Sequence, residues 1–349
     1  MPPETAAATN PTRTMIGSIP SRRPSPAHTP ATTLSLRLRR SGRGDAARAF
    51  TVIAAMISPP GLDSECMVKT VNYQERDREI IDYETFQLPQ TGWLRGPAPR
   101  TLARGEYFTC LGAAQTFGCF CAQPYPTLLA QRLDLPVLNF GIAGAGPRFF
   151  LRFPAMLAYV NSGRFAILQV MSGRSEDNSY FDSGGRSQLV RRSDGTELEA
   201  VRAYRELLAN ESVERIQALV EETRQNWVQS FTNLLQAIQV PTILFWFSER
   251  SPDYEASYSE RRPRRVFGKF PQLVNRAMVE QVKVAGDEYV ECISARGMPQ
   301  RLVSRLTGEH VRDNRYYPSP EMHADAADAL HDASRKYADR ISAAPGSGR

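Results

Sequence analysis

The chain has 349 residues, 42% hydrophobic and 23% charged, close to globular averages, which excludes wholesale disorder and collagen-like repetition. No apolar run approaches 18 residues, so no transmembrane helix is expected. The five cysteines (Cys66, Cys110, Cys119, Cys121 and Cys292) form no CxxC pair, which fits neither a disulfide scaffold nor a zinc ribbon. The net charge of +6 lies mostly at the start, where residues 1–66 hold eight Arg against Glu4, Asp45, Asp63 and Glu65. The remaining body is nearly balanced and carries no electrostatic footprint for nucleic acid. These features predict a soluble, cytoplasmic globular protein that binds neither nucleic acid nor a membrane; they leave its oligomeric state open.

Residues 1–66 contain nine of the 25 prolines among Ser, Thr, Ala and Arg, a composition that cannot bury enough apolar surface to offset its ordering entropy. A disordered extension is expected there. An organellar transit peptide, a twin-Arg signal at Arg39-Arg40 and a start assigned upstream of Met67 are the competing explanations, and the last is adopted. Residues 67–104 read as an irregular lead-in, broken by Pro89, Gly92, Gly96 and Pro97. The main domain is placed at 105–345. Continuous apolar runs at 106–111, 136–140, 165–171, 242–247 and 288–293 read as strands buried on both faces of a parallel sheet. Helical periodicity appears at 126–133, 149–159, 213–238 and 271–284, and in a final helix carrying Ala326, Leu330, Ala333, Tyr337 and Ile341. The expected fold is therefore α/β: a three-layer α/β/α sandwich around a five-stranded parallel sheet of flavodoxin-like order. A helical insertion is expected at about 172–240.

In such a sheet the ligand crevice lies beyond the carboxyl ends of the strands. The segments that should meet there are Gly112-Ala-Ala-Gln-Thr-Phe-Gly118, Gly141-Ile-Ala-Gly-Ala-Gly-Pro147, Ser172-Gly-Arg-Ser-Glu-Asp-Asn178, Ser248-Glu-Arg250 and Tyr316-Tyr-Pro-Ser-Pro-Glu-Met-His323. Gly141, Gly144 and Gly146 do not give the dinucleotide spacing, so no nicotinamide cofactor, nor any other cofactor or metal, is expected.

Taken in order, these blocks resemble the SGNH (GDSL) hydrolase superfamily. Gly112, Thr116 and Gly118 fall in register with its first block, Leu138-Asn-Phe-Gly141 follows in place, and His323 opens the last helix where that family carries its catalytic His. The resemblance covers roughly residues 105–340. The departures bear on chemistry: the nucleophilic Ser position is Ala114, the residue before it is Ala113, and Pro320 stands where the triad Asp would be. Acyl-ester chemistry needs an activated nucleophile, a base and an orienter, so ordinary serine esterase activity is not expected. The stretch from Tyr73 to His323 also resembles an uncharacterised bacterial domain-of-unknown-function family. The blocks that carry this likeness include Val170-Met-Ser-Gly-Arg-Ser-Glu176, Phe270-Pro-Gln-Leu-Val-Asn275 and Tyr317-Pro-Ser-Pro-Glu-Met-His323.

Two functional readings lead: group transfer on an anionic metabolite or glycan by non-serine chemistry, or a catalytically inactive module binding a small ligand or a protein in the same crevice; a third makes Thr116, Ser172 or Ser175 a displaced nucleophile served by His323. His323, Gln115 and Glu321 are the catalytic candidates, with Glu321 replacing the missing carboxylate. Ala114, Thr116, Gly144, Ser172, Arg174, Ser175 and Asn178 are the ligand-binding candidates. Arg174 would clamp a carboxylate, phosphate or sulfate, with Arg148 and Arg250 as possible extensions. Each has a bland alternative: a structural His, helix capping by Thr116, or a salt-bridged loop root around Arg174. Cys119 and Cys121 fall in an expected helix, and Arg261-Arg-Pro-Arg-Arg265 reads as a solvated loop or a lid.

Overall fold

Four of the five strands of the main sheet are buried on both faces, while the edge strand at 288–293 is only partly buried. The computed structural model describes residues 73–258 and 260–339; the extension 1–66, Met67 and Ile341 lie outside the described residues. The strands are β1 (Phe108–Gly112), β2 (Val137–Gly141), β3 (Ala166–Gln169), β4 (Thr242–Ser248) and β5 (Glu288–Ile293), close to the runs read from the sequence. They pair in parallel in the order β2-β1-β3-β4-β5, which is the expected flavodoxin-like order.

Side-chain alternation splits the sheet between two cores. Leu111, Phe140, Leu168, Leu244 and Trp246 face one layer, and Phe108, Cys110, Ile167, Phe245 and Phe247 face the other. After a short helix at Tyr73–Arg76 in the lead-in, the helices of the main domain in chain order are α1 (Ala114–Phe117), α2 (Tyr125–Leu133), α3 (Pro147–Leu151), α4 (Pro154–Ser162), α5 (Ala200–Asn210), α6 (Val213–Ala237), α7 (Pro263–Phe267), α8 (Arg276–Lys283) and α9 (Pro320–Ala338). Trp227, Phe231 and Leu234 of α6 and Met278, Val279 and Val282 of α8 cover the first face. Tyr125 and Leu129 of α2 and Ala326, Leu330 and Ala333 of α9 cover the second. This is the three-layer sandwich.

Three local expectations are corrected. The helix read at 149–159 is two helices, α3 and α4, because Pro154 cannot continue the first and instead starts the second. The helix read from 271 begins at Arg276, where the Asn275 side chain caps it by accepting the Met278 N–H. Cys119 and Cys121 lie beyond a helix, not within one: α1 stops at Gly118, whose φ of 81° is the left-handed cap that glycine adopts freely.

The insertion is not purely helical. After a 3₁₀ turn at Gly173–Ser175 comes a three-stranded antiparallel sheet (Phe181–Asp182, Gln188–Arg191, Glu197–Glu199), and only then α5. Its strands are two to four residues long, too short for their alternation to announce them. Phe181, Leu189 and Leu198 pack with Tyr204 of α5 and with Ile216, Leu219 and Val220 of α6 in a separate core. The 25-residue α6 thus serves the insertion with its first half and the main sheet with its second.

The lead-in covers one flank of the sheet's carboxyl end. The buried Arg95 donates to the carbonyls of Cys121 (3.1 Å) and Ala122 (2.8 Å). Asp77 is fully buried, paired with Arg76, and accepts the Tyr83 hydroxyl at 2.8 Å. A hairpin of Gln300–Val303 and His310–Asn314 is joined to this segment: the Arg305 backbone N–H donates to the Glu79 carbonyl at 2.8 Å, and its Nε to the Arg78 carbonyl at 2.8 Å.

Candidate functional site

The exit of β1 is fixed by a buried polar network. Thr116 Oγ1 donates to Gln169 Oε1 at 2.7 Å and lies 3.0 Å from the Tyr125 hydroxyl. Gln169 Oε1 also accepts the Ala113 N–H at 3.1 Å, and Asn139 Nδ2 donates to the Thr116 carbonyl at 2.9 Å. Thr116 therefore does not cap α1; it ties the ends of β1, β2 and β3 to α2. Ala114 is 6% exposed and packs in an apolar cluster with Tyr73, Tyr83, Phe117 and Cys119, roofed by the lead-in.

His323 sits one turn into α9, behind the Ser319 cap and with Pro320 at the first helical position, where its missing N–H costs nothing. The imidazole is fully buried between Tyr125 and Phe247, with ring centroids at 6.1 and 5.3 Å. Its Nδ1 accepts the Tyr125 backbone N–H at 3.2 Å, which places the proton of the neutral ring on Nε2. Nε2 is buried without a partner among the described residues. Burial, then the charge of Arg95, lowers the pKa to about 3. Glu321 is exposed at the helix start; hydrogen bonds from its own backbone and from Ser319 lower its pKa. The position at His323 Nδ1 where a triad carboxylate would bind is taken by the Tyr125 N–H.

A cleft of about 510 Å³ opens beyond the carboxyl ends of β1, β3 and β4, within the usual range for small-molecule sites. Gln115 enters from α1, Arg174 from the 3₁₀ turn after β3, Phe247 and Glu249 from the end of β4, and Tyr316 from the segment before α9. Gln272 forms part of the floor, and α7 supplies Arg264 and Phe267. Met322, not His323, reaches the wall. Four cationic side chains line this space (Arg174, Arg264, Lys269 and Arg315) against one acid, Glu249, which is ion-paired with Lys269. Arg174 and Arg264 have no carboxylate partner among the described residues.

The polar groups of the cleft are incompletely satisfied. The Tyr316 hydroxyl accepts from Gln272 Nε2 (3.2 Å) and Arg174 Nη2 (3.4 Å). Gln115 Oε1, Gln272 Oε1 and Arg174 Nε are buried without hydrogen-bond partners. Each such group costs about 1–3 kcal/mol when left unpaired.

The other candidates are placed elsewhere. The Ser172 hydroxyl accepts the Arg174 backbone N–H at 3.2 Å and so shapes the turn that presents Arg174. Ser175 Oγ donates to the Gly144 carbonyl at 2.9 Å, fastening the root of the insertion to the loop after β2. Asn178 is buried inside the insertion, donating to Tyr204 and Thr223 at 3.0 Å each and accepting the N–H groups of Tyr180 and Phe181. Glu176 and Asp177 face Arg148 at 3.9 and 3.0 Å. The Arg250 guanidinium donates to the carbonyls of Ser251, Lys269, Pro271 and Val274, which makes it a brace beneath the cleft. Of the residues singled out from the sequence, Gln115, Arg174 and Arg264 (from the 261–265 run, which is helical from Pro263) line the cleft, and Ser172 supports it. Gln272, Lys269 and Tyr316 were not singled out, although Gln272 and Tyr316 fall within quoted blocks. Among the described residues no group of His, Cys, Asp and Glu could hold a metal ion, and no helix is long and apolar enough to cross a membrane.

A family model described as "Domain of unknown function (DUF6473)" matches residues 71–338. No curated protein matches the chain. Among solved structures it is similar to LAE5, an alpha/beta hydrolase enzyme from the metagenome of Lake Arreo, Spain, at 13% identity and a TM-score of 0.36, covering 66% of this chain and 96% of that one. It is also similar to BT4096, a gut microbial diltiazem-metabolizing enzyme (11% identity, TM-score 0.37), covering 68% of this chain and 47% of that one. A third is a catalytic mutant of Axe2, an acetylxylan esterase from Geobacillus stearothermophilus (13% identity, TM-score 0.31), covering 67% and 97% of the two chains.

Proposed function

The chain belongs to the DUF6473 family, and we propose that its cleft binds a small anionic ligand without serine-based hydrolysis. The observation that carries this reading is the excess of cationic side chains around the cleft, where Arg174 and Arg264 have no carboxylate partner among the described residues. Arg174 has the planar fork suited to a phosphate or carboxylate, and its backbone is held by Ser172. Group transfer on the bound ligand would need a proton-transfer group in the cleft. His323 is a neutral donor outside the wall, and Glu249 is held by Lys269, so binding is preferred to catalysis. Cys110, Cys119, Cys121 and Cys292 are buried free thiols, which supports the cytoplasmic expectation.

Isothermal titration of inorganic phosphate into the full chain at low ionic strength tests this. Arg174→Ala should weaken binding about 10- to 100-fold, the worth of a lost charge-assisted hydrogen bond, and added salt should weaken binding in the native chain. Undetectable phosphate binding, or equal affinity in the variant, rejects the proposal. A fluorophosphonate probe tests the other half. Neither the native chain nor Ala114→Ser should gain a covalent adduct by intact mass, because position 114 is sealed by Tyr73, Tyr83 and Phe117. Labelling of Ala114→Ser would instead reveal a working oxyanion site.

A further inference from the structure

Resting on the anion-binding reading, we infer that the ligand is an elongated oligophosphate, with one phosphate in the cleft and another in a second basic depression across Tyr316. The depression, of about 300 Å³, is lined by Arg76 and Phe120 from the lead-in side and by Arg312 and Tyr317 from the hairpin side. Arg315 and Tyr316 line it and the cleft alike, so the two spaces are neighbours divided by one aromatic ring that is itself 45% exposed.

The depression presents guanidinium groups at its surface. Arg76 and Arg312 both lie over the Phe120 ring, 5.7 and 5.4 Å from its centroid. A guanidinium stacked on a ring still offers the N–H groups of its planar edge to an anion. Arg76 spends part of that edge on the buried Asp77, donating from Nε at 2.7 Å and from Nη2 at 2.5 Å. Arg312 does not: its Nη2 stays 3.7 Å from Asp77, and the side chain is 53% exposed. Arg315, 76% exposed, is only loosely paired with Asp313 at 3.5 Å, and Asp313 also faces His310. Acceptors, by contrast, are already engaged. Glu249 is held by Lys269, and the Asn314 amide is spent within the hairpin on Gln300, Tyr316 and Tyr317. Lysine and arginine only donate hydrogen bonds. Such a surface selects a ligand whose every link carries charge and acceptor oxygens, as a phosphate chain does; a peptide brings N–H donors that would go unmatched.

The test is isothermal titration of the full-length chain, at low ionic strength, with inorganic phosphate, linear polyphosphate and hexaglutamate. Polyphosphate should bind about tenfold or more tighter than phosphate, as one added charge-assisted contact implies. Arg312→Gln should remove most of that gain while leaving affinity for inorganic phosphate unchanged, and Arg174→Ala should weaken both. Arg335→Gln, in the last turn of α9 and away from both spaces, removes the same net charge and should leave the gain in place. Should Arg312→Gln fail to fold, Arg315→Gln takes its place and should weaken polyphosphate more than phosphate. Polyphosphate binding no tighter than phosphate, or equal losses in Arg312→Gln and Arg335→Gln, overturns the second site and leaves the cleft reading intact. Hexaglutamate binding as tightly as polyphosphate overturns the phosphate class. Absence of binding by any phosphate overturns both the extension and the reading on which it rests.

Discussion

Gly141→Ala is expected to remove roughly 3–5 kcal/mol of stability, a large share of the margin of an ordinary domain. A methyl group at Gly141 would overlap the backbone N and Cα of Phe117, atoms that no side-chain rotation can move aside. Overpacking alone costs about 1–3 kcal/mol. Displacing α1 would also strain the buried bonds from Thr116 to Gln169 and from Asn139 to the Thr116 carbonyl, each worth about 1 kcal/mol or more when buried. Gly195→Ala is the control. Gly195 has a φ of 72° but no atom within 4 Å of an added methyl, so only the backbone cost of about 1–2 kcal/mol applies. Urea unfolding of both variants checks the comparison. A Gly141 variant as stable as the Gly195 variant would mean that α1 is not seated as described.

The second large effect is on pH dependence, where two buried groups oppose each other. His323 has its pKa lowered to about 3 by burial and Arg95, against about 6.5 in the unfolded chain. Between those values the unfolded state binds the extra proton, so acid destabilises the fold, on the order of 5 kcal/mol by pH 3. Glu176 has its pKa raised to about 7, chiefly by burial. Its folded form takes up a proton that the unfolded chain has released above about 4.5, so its contribution is full below pH 4.5 and is lost as pH rises through 7, on the order of 3 kcal/mol. The two slopes cancel between about pH 4.5 and 6.5. Stability should therefore be flat there and fall on either side. Chemical unfolding from pH 3 to 8 should show this plateau in the native chain. His323→Gln should flatten the acid limb, and Glu176→Gln should remove the loss above pH 6.5. An acid limb of unchanged slope in His323→Gln would refute the buried neutral imidazole.

How much was legible in the sequence depended on whether a residue's role is local. The strands were legible because Phe165–Met171 and Thr242–Phe247 are continuous apolar runs, a pattern set by burial on both faces. Their order followed from strand–helix alternation. The positions of Gln115 and Arg174 followed from the rule that strand ends line the crevice. Gln272 was not legible as a site residue because it follows no strand; it reaches the cleft only through the packing of the 268–275 segment on Gly173 and Phe267. Asn178 misled for the opposite reason. It stands near a strand exit, yet the insertion folds it into a core of its own. His323 is where the block order places it, but no sequence pattern shows that the Tyr125 N–H would occupy its Nδ1.

The joint between the lead-in and the late hairpin has a consequence during synthesis. Arg305 must be made before it can bind the Arg78 and Glu79 carbonyls, 227 residues after Arg78 leaves the ribosome. At ordinary elongation rates this is a delay on the order of 10–50 s. During that interval Tyr73, Ile81, Phe117 and Phe120 have no Leu302 to close over them, and Asp77 lacks the Arg312 charge that later lies 3.7 Å away. The nascent chain thus presents an open aromatic face for most of its translation, the surface on which a holdase chaperone would act.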